Sequence, residues 1–342
     1  MVSRTLDRAI GFKPQVLEKY LKQRIPELSG RLDLERVSGG QSNPTFFLEF
    51  DEHDLVLRKQ PPGKLLPSAH RIDREYRVIR ALADTDVPVP EALLYCDDPG
   101  VIGTPFYVME RVDGRVFHNS AIPGVSREDR TAMYDSMNET LARLHRVDWQ
   151  ALGLGDFGKP GNYFARQIDR WSRQWAASRT RENPQIERLI QWLPQNIPPG
   201  DETTLCHGDF RIGNLLFHPS EPRVVALLDW ELSTLGHPLA DVAYNCILYH
   251  SRPEEYQGIM GLDRMALGIP AENDYLDCYY QRTGRSDGVT VFHLAFALFR
   301  FAVILEGIAA RVRAGNAAAD NAREVGEMSM AFARRACDLI DR

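Results

Sequence analysis

The 342-residue chain carries 41 Lys plus Arg against 47 Asp plus Glu, a formal charge of −6. It therefore lacks the basic excess of a nucleic-acid binder, and no nucleic-acid partner is expected. Hydrophobic residues at 44% and charged residues at 26% are ordinary globular values, and the length allows a substantial core in two domains or lobes. The five cysteines, Cys96, Cys206, Cys246, Cys278 and Cys337, offer no CxxC spacing and read as reduced thiols. The opening stretch MVSRTLDRAIGFKPQ has no apolar secretory core. The apolar run Val289 to Ala310 is broken by His293, Arg300 and Glu306, so a buried helix explains it better than a membrane span. The expectation is a cytoplasmic protein with no membrane partner.

In chain order, residues 14–24 place apolar side chains at helical spacing, with Pro14 suited to a first turn. Strand-like runs follow at Leu34–Ser38, Thr45–Phe50 and Asp54–Arg58; Asp51-Glu52-His53 has hairpin length. Between the first two runs lies Gly39-Gly40-Gln41-Ser42-Asn43, a glycine and amide turn. Residues 70–83 predict an amphipathic helix that Val87-Pro88-Val89-Pro90 stops, and Pro105–Glu110 a strand. Beyond Asp113-Gly114 the composition turns helical. Helices are predicted over 126–145, opened by Ser126, and over 161–180, 183–193, 239–250, 271–282, 288–313 and 320–341. Short strands intervene at Thr204–Cys206, Leu215–Phe217 and Val224–Leu228. The pattern divides the chain into residues 1–112 and 113–342.

The informative segment runs from Leu205 through His207-Gly208-Asp209 to Asn214, then through an apolar strand to Asp229-Trp230-Glu231. Two acids and an amide thus sit on loops beside short strands, where catalytic groups are commonly displayed. Phosphoryl transfer needs a carboxylate facing the acceptor hydroxyl and oxygen ligands for Mg²⁺ on the phosphates. Asp209 fits the first role, Asn214 and Asp229 the second. Either acid alone would read as a turn former or helix cap, but the joint spacing is hard to assign to structure alone.

HGDxxxxN followed by a strand ending in D-W-E resembles the aminoglycoside phosphotransferase and choline kinase family. That resemblance implies an α+β, two-lobed protein-kinase-like fold, with a small antiparallel-sheet N-lobe binding the nucleotide and a larger helical C-lobe. It implies ATP as co-substrate, Mg²⁺ as cofactor and a small-molecule hydroxyl acceptor. By the same resemblance Ser38, Gly39, Gly40 and Ser42 form the phosphate-covering loop. The phosphate-pairing cation falls at Arg58 or Lys59; register favours Arg58, since alternation points Lys59 the other way. Glu75 is the natural partner of that cation. PFYVMERVDG resembles the inter-lobe linker, where backbone groups around Glu110 and Val112 would meet adenine. Asp241 in GHPLADVA reads as a helix cap that buttresses the catalytic loop, and His207 as an orienter of that loop. His293, Arg300 and Gly307 share one helix face and read as an acceptor pocket, a buried ion pair or a surface stripe.

LVLRKQPPG, REYRVIRAL and LLDWELSTLGHPLADVAY look closest to kinase-like proteins found alone or fused to acyl-CoA dehydrogenases. This branch suggests a hydroxyacyl-type acceptor, free or presented as its CoA thioester; the sequence shows no flavin-binding segment, and no dehydrogenase activity is expected. Two rival readings are a nucleotide-binding pseudokinase or regulatory module and a metal-dependent hydrolase using His207 and Asp209 with His218 or His237.

Overall fold

A computed structural model describes residues 10–37, 43–63, 70–313 and 322–342. By its contacts the chain divides into two units: Met1–Asp113 with Asp229–Glu231, and Gly114–Leu228 with Leu232–Arg342.

The first unit is a five-stranded antiparallel sheet in the order β1-β2-β3-β5-β4. Its strands are β1 (Asp33–Arg36), β2 (Thr45–Glu49), β3 (Asp54–Lys59), β4 (Ala92–Cys96) and β5 (Phe106–Glu110). The hairpin after β2 closes through Phe50 N–H donating to His53 O at 3.0 Å. Strand alternation sorts the side chains into two faces. Phe46, Leu48, Leu55, Leu57, Phe106 and Val108 pack together with Leu17 and Leu21 of helix α1 (Pro14–Arg24). From the other face Arg58 and Tyr107 meet Glu75 of helix α2 (Ile72–Leu82). α2 buries Ile72, Glu75, Val78, Ile79 and Leu82 at 3.6-residue spacing, so its one buried charge must find partners inside the unit.

The second unit is mainly helical, with two small antiparallel ladders, β6 (Arg115–Val116)–β8 (Leu215–Phe217)–β9 (Val224–Leu227) and β7 (Thr204–Cys206)–β10 (Thr234–Gly236). A short helix, α3 (Pro99–Ile102), belongs to the first unit; the second begins its helices with α4 (Arg127–His145). Ser126 caps α4 by accepting from Asp129 N–H at 3.0 Å. Helices α5 (Tyr163–Ser178), α6 (Pro184–Trp192), α7 (Pro238–Asn245), α8 (Arg264–Leu267) and α9 (Glu272–Thr283) follow. The apolar run forms α10 (Val291–Arg313), long and apolar enough by composition to cross a membrane. Here its Phe296, Phe299, Ala302 and Val303 are buried in the unit's core with residues of α5, α6 and the last helix.

Several boundaries differ from expectation. Strands β4, β6 and β10 are not predicted; each lacks the long alternation that marks a strand, and the ladders supply what the sequence does not. The helix expected over 239–250 turns into a tighter 3-10 segment at Cys246–His250. The helix expected over 320–341 is two, α11 (Ala322–Glu327) and α12 (Ser329–Ile340). Gly326 lies where a methyl group would stand 2.7 Å from Ala309 Cβ, so a bare backbone lets this segment close on α10.

Candidate active site

The phosphate-loop candidates Ser38, Gly39, Gly40 and Ser42 lie outside the described residues. Arg58 and Lys59 are adjacent in β3 but occupy opposite faces. Arg58 Nε lies 3.1 Å from Glu75 Oε2, an ion pair by distance rather than an aligned hydrogen bond. One terminal nitrogen donates to Asp229 Oδ1 at 3.1 Å. Lys59 instead donates to the Ile102 carbonyl at 3.2 Å and lies 4.9 Å from the centre of the Phe12 ring. It belongs to the α1 side of the sheet, and burial lowers its pKa. Lys59 therefore leaves the candidate set for a simple reason, the two-residue period of a strand.

Glu75 also accepts from Asn43 Nδ2 at 2.6 Å and from the Tyr107 hydroxyl at 3.1 Å. Burial raises its pKa, against the lowering effect of Arg58. The Arg58 guanidinium is held firmly charged: burial opposes the charge, but Tyr107, Glu75, Asp229 and Glu231 together outweigh it. Asn43 and Tyr107 do not stand out as partners in the sequence; an amide at a loop end and a strand tyrosine carry no spacing signal. Glu110 N–H donates to Glu91 O at 2.9 Å, so that amide is already engaged. Among the described residues the Val112 amide makes no hydrogen bond.

In the second unit the loop between β7 and β8 is fixed from several sides. Asp241, buried on α7, accepts His207 N–H at 2.6 Å and Gly208 N–H at 2.9 Å, one on each carboxylate oxygen. Burial raises the Asp241 pKa, yet the hydrogen bond and charge of His145, with the loop donors, bring it below the usual carboxylate range. The expectation that Asp241 caps the helix is corrected: His237 does so, its Nδ1 accepting Leu239 N–H at 3.3 Å. Asp241 is the buttress only. His207 Nε2 donates to Leu228 O at 2.9 Å while Nδ1 accepts Asp209 N–H at 3.2 Å, one tautomer satisfying both contacts. It orients the loop and has no free nitrogen for base work. Gly208 has φ of +82°, and a Cβ there would lie 2.4 Å from Leu232 O. Only glycine fits.

Asp209 is thereby presented with defined partners. Its Oδ1 accepts the Tyr244 hydroxyl at 2.6 Å; Oδ2 accepts Asn214 Nδ2 at 2.8 Å and Arg211 Nε at 3.2 Å. Asn214, at the end of a 3-10 turn, also donates Nδ2 to Asp209 O at 2.8 Å. Its side-chain oxygen is thus turned away from Asp209. Asp229 follows β9 with φ of +65°, a left-handed backbone uncommon outside glycine. Its carboxylate is one-third exposed. Tyr244 and Arg211 escape a reading of the sequence, although Arg211 lies inside the catalytic motif itself.

Arg300 of α10 donates to the Gly208 carbonyl and stacks 4.9 Å from the Tyr244 ring centre. His293 is buried beside Phe164 and His237, with Nδ1 accepting Thr290 N–H at 3.0 Å. Burial, then His237, lowers its pKa to about 3. The shared face of His293, Arg300 and Gly307 is therefore spent largely on packing and the loop clamp. At Gly307 a methyl group would meet nothing closer than Arg311 Nη1, at 3.9 Å. The hydrolase reading fails on geometry: His218 Nδ1 accepts from Ser220 and Glu221 amides, His237 caps α7, and His207 faces Leu228. Among the described residues the donors of His145, Cys206 and Asp241 do lie within 4.8 Å of one another. They are buried and already engaged, with His145 bonded to Tyr279 and Asp241, and Cys206 to His237 O.

An antiparallel sheet with a buried Arg–Glu pair, and a helical unit presenting an Asp-x-x-x-x-Asn loop, define a protein-kinase-like phosphotransferase. The chain belongs to the phosphotransferase enzyme family, whose model matches residues 33–264. It is 43% identical over 346 aligned positions to mouse acyl-CoA dehydrogenase family member 10, covering 99% of this chain but 32% of that protein. The chain thus spans about a third of the length of that relative. A crystal structure of a protein from Ralstonia eutropha, provisionally named an aminoglycoside phosphotransferase, is 47% identical with a TM-score of 0.88, covering 96% of this chain and 98% of that one. Spectinomycin phosphotransferase, solved with ADP and spectinomycin, shares the fold at 12% identity and a TM-score of 0.64, over 96% of this chain and 98% of that one.

Proposed function

We propose that this protein transfers the γ-phosphoryl group of ATP to a hydroxyl of a small molecule, with Asp209 as the residue that takes the hydroxyl proton. The observation that carries this reading is the fixation of Asp209: two loop amides on Asp241, a glycine-only turn and Tyr244, Asn214 and Arg211 on its own oxygens. A base held this tightly loses little to reorganisation when the acceptor arrives.

Asn214 through its side-chain oxygen and Asp229 through its carboxylate are the hard donors that suit Mg²⁺. When bound, that ion would neutralise phosphate charge and align the phosphates. Arg58, kept cationic by Glu75 and Asp229, braces phosphate oxygens, a task its planar fork suits. Ser38, Gly39, Gly40 and Ser42 cover the phosphates, and backbone groups at Glu110 and Val112 meet the adenine edge. Asp209 accepts the proton as the acceptor oxygen bonds to the γ-phosphorus, the bond from that phosphorus to the β,γ-bridging oxygen breaks, and ADP leaves. The acceptor we favour is a hydroxyacyl compound, as the free acid or as its CoA thioester; the sequence shared with the relative that carries an acyl-CoA dehydrogenase name supports this.

The test is an acceptor screen that reads nucleotide consumption, run beside Asp209→Asn. Turnover is expected to fall by about 10²- to 10⁴-fold, with Mg²⁺-nucleotide affinity nearly unchanged. Full activity in Asp209→Asn would overturn the assignment. Nucleotide binding with no turnover on any alcohol would favour the pseudokinase reading.

A further inference from the structure

Two cavities of the second unit share His118, Arg211 and Tyr256 in their walls. The outer one holds about 300 Å³ and is also lined by Pro253, Glu254 and Gln257. The inner one is walled by Ile247, Leu248 and Phe301, with Ser120 and Asn245 as polar points. Tyr244, whose hydroxyl holds Asp209, lines the inner cavity as well. The cavities therefore open beside the proposed base.

Their charge is unusual for a space next to a carboxylate. Arg211 spends only Nε on Asp209; among the described residues its two terminal nitrogens have no hydrogen-bond acceptor. His118 likewise has no hydrogen-bond partner among them. A methyl group at Gly213 would stand 2.5 Å from Arg211 Nη1 and 3.1 Å from His118 Nδ1, so both basic groups crowd one Cα. Asp209 pairs with Arg211 through Nε alone and leaves its terminal nitrogens open, while Glu254 on the outer wall lies 3.9 Å from Arg252. Tyr244 and Tyr256 stay neutral, their pKa values raised first by burial. A guanidinium fork and an imidazole, both without an acceptor on their open nitrogens among the described residues, converge above an apolar wall and suit one kind of ligand. A guanidinium with its terminal nitrogens open is a fork for carboxylate or phosphate oxygens.

We propose that Arg211 and His118 hold an anionic group of the acceptor, a carboxylate or a phosphate, while Ile247, Leu248 and Phe301 take its carbon chain. This deepens the phosphotransferase reading and rests on Asp209 as the base. Arg211 then ties the acid end of the acceptor to the carboxylate that meets its hydroxyl. A polycationic acceptor is disfavoured at the same place by like charge.

Binding to the full chain separates this from the catalytic assignment. The probes are 6-hydroxyhexanoate, 6-hydroxyhexyl phosphate and 1,6-hexanediol, titrated by calorimetry or ligand-observed NMR. At least one anionic probe is expected to bind about tenfold more tightly than the diol, and the tighter anion identifies the source of the charge. That preference should disappear in Arg211→Met and in His118→Gln, the latter leaving the Asp209 contacts in place. If the three probes bind alike, or the preference survives both substitutions, the subsite is wrong. Full turnover in Asp209→Asn with the anion preference intact would instead refute the catalytic reading and leave the subsite standing.

Discussion

The two polar centres of this protein are built on opposite electrostatic plans. Around Glu75, opposite charges are buried together: Arg58 lies between Glu75 and Asp229, with Tyr107 and Asn43 supplying neutral donors. Around Asp241, a buried carboxylate is satisfied by backbone amides and one histidine. The first plan keeps a cation ready for an anion and is sensitive to removal of either partner. The second fixes a backbone, and its anion is never presented to a ligand. One centre stores charge; the other stores geometry.

The sharpest way to break this contrast is Asp241→Asn. The two loop amides need one acceptor oxygen each, and an amide side chain offers only one oxygen while its NH₂ faces a donor. Unfolding free energy should fall by about 3 kcal/mol, and turnover should fall with it while Mg²⁺-nucleotide binding is retained. Chemical denaturation and single-turnover kinetics check both halves. Equal loss of nucleotide binding would show that the loop is not an independent geometric element.

Glu75→Gln is expected to act on the other plan. Arg58 keeps its charge but loses its main anchor, so Mg²⁺-nucleotide affinity should weaken about tenfold, with a smaller change in the turnover of saturated enzyme. Titration calorimetry reads this directly. Lys59→Met, on the opposite sheet face, should leave nucleotide affinity unchanged; a comparable loss there would restore the rival cation.

A smaller effect is expected for Tyr244→Phe, which removes one neutral donor from Asp209. Loss of a hydrogen bond of about 1 kcal/mol corresponds to a several-fold drop in turnover, without a matching change in stability. His293→Gln should matter least at neutral pH. His293 is held unprotonated down to about 3, whereas the unfolded chain protonates near 6.5. The unfolded state therefore binds the extra proton between those values, and native stability declines as pH falls from about 6.5 towards 3. The variant should flatten that acid limb in pH-dependent denaturation.

Much of this is legible in the sequence where spacing alone carries the chemistry. Asp209, Asn214 and Asp229 stand at motif intervals, and the alternation of β3 already favours Arg58 over Lys59. What escapes are contacts that join residues distant in sequence. Tyr244 reaches Asp209 across 35 positions and Arg300 reaches Gly208 across 92; neither has a local pattern. Asp241 looks like a cap because it sits in the first turn of α7, a place where acids usually serve that purpose. The fold instead spends it on the loop and gives the cap to His237.

The grip of Arg300 on Gly208 has a practical corollary for fragments. The family match ends at residue 264, yet this guanidinium comes from α10, well beyond it. A piece trimmed to the matched span would retain every motif residue and still lack the hand that steadies the turn before Asp209.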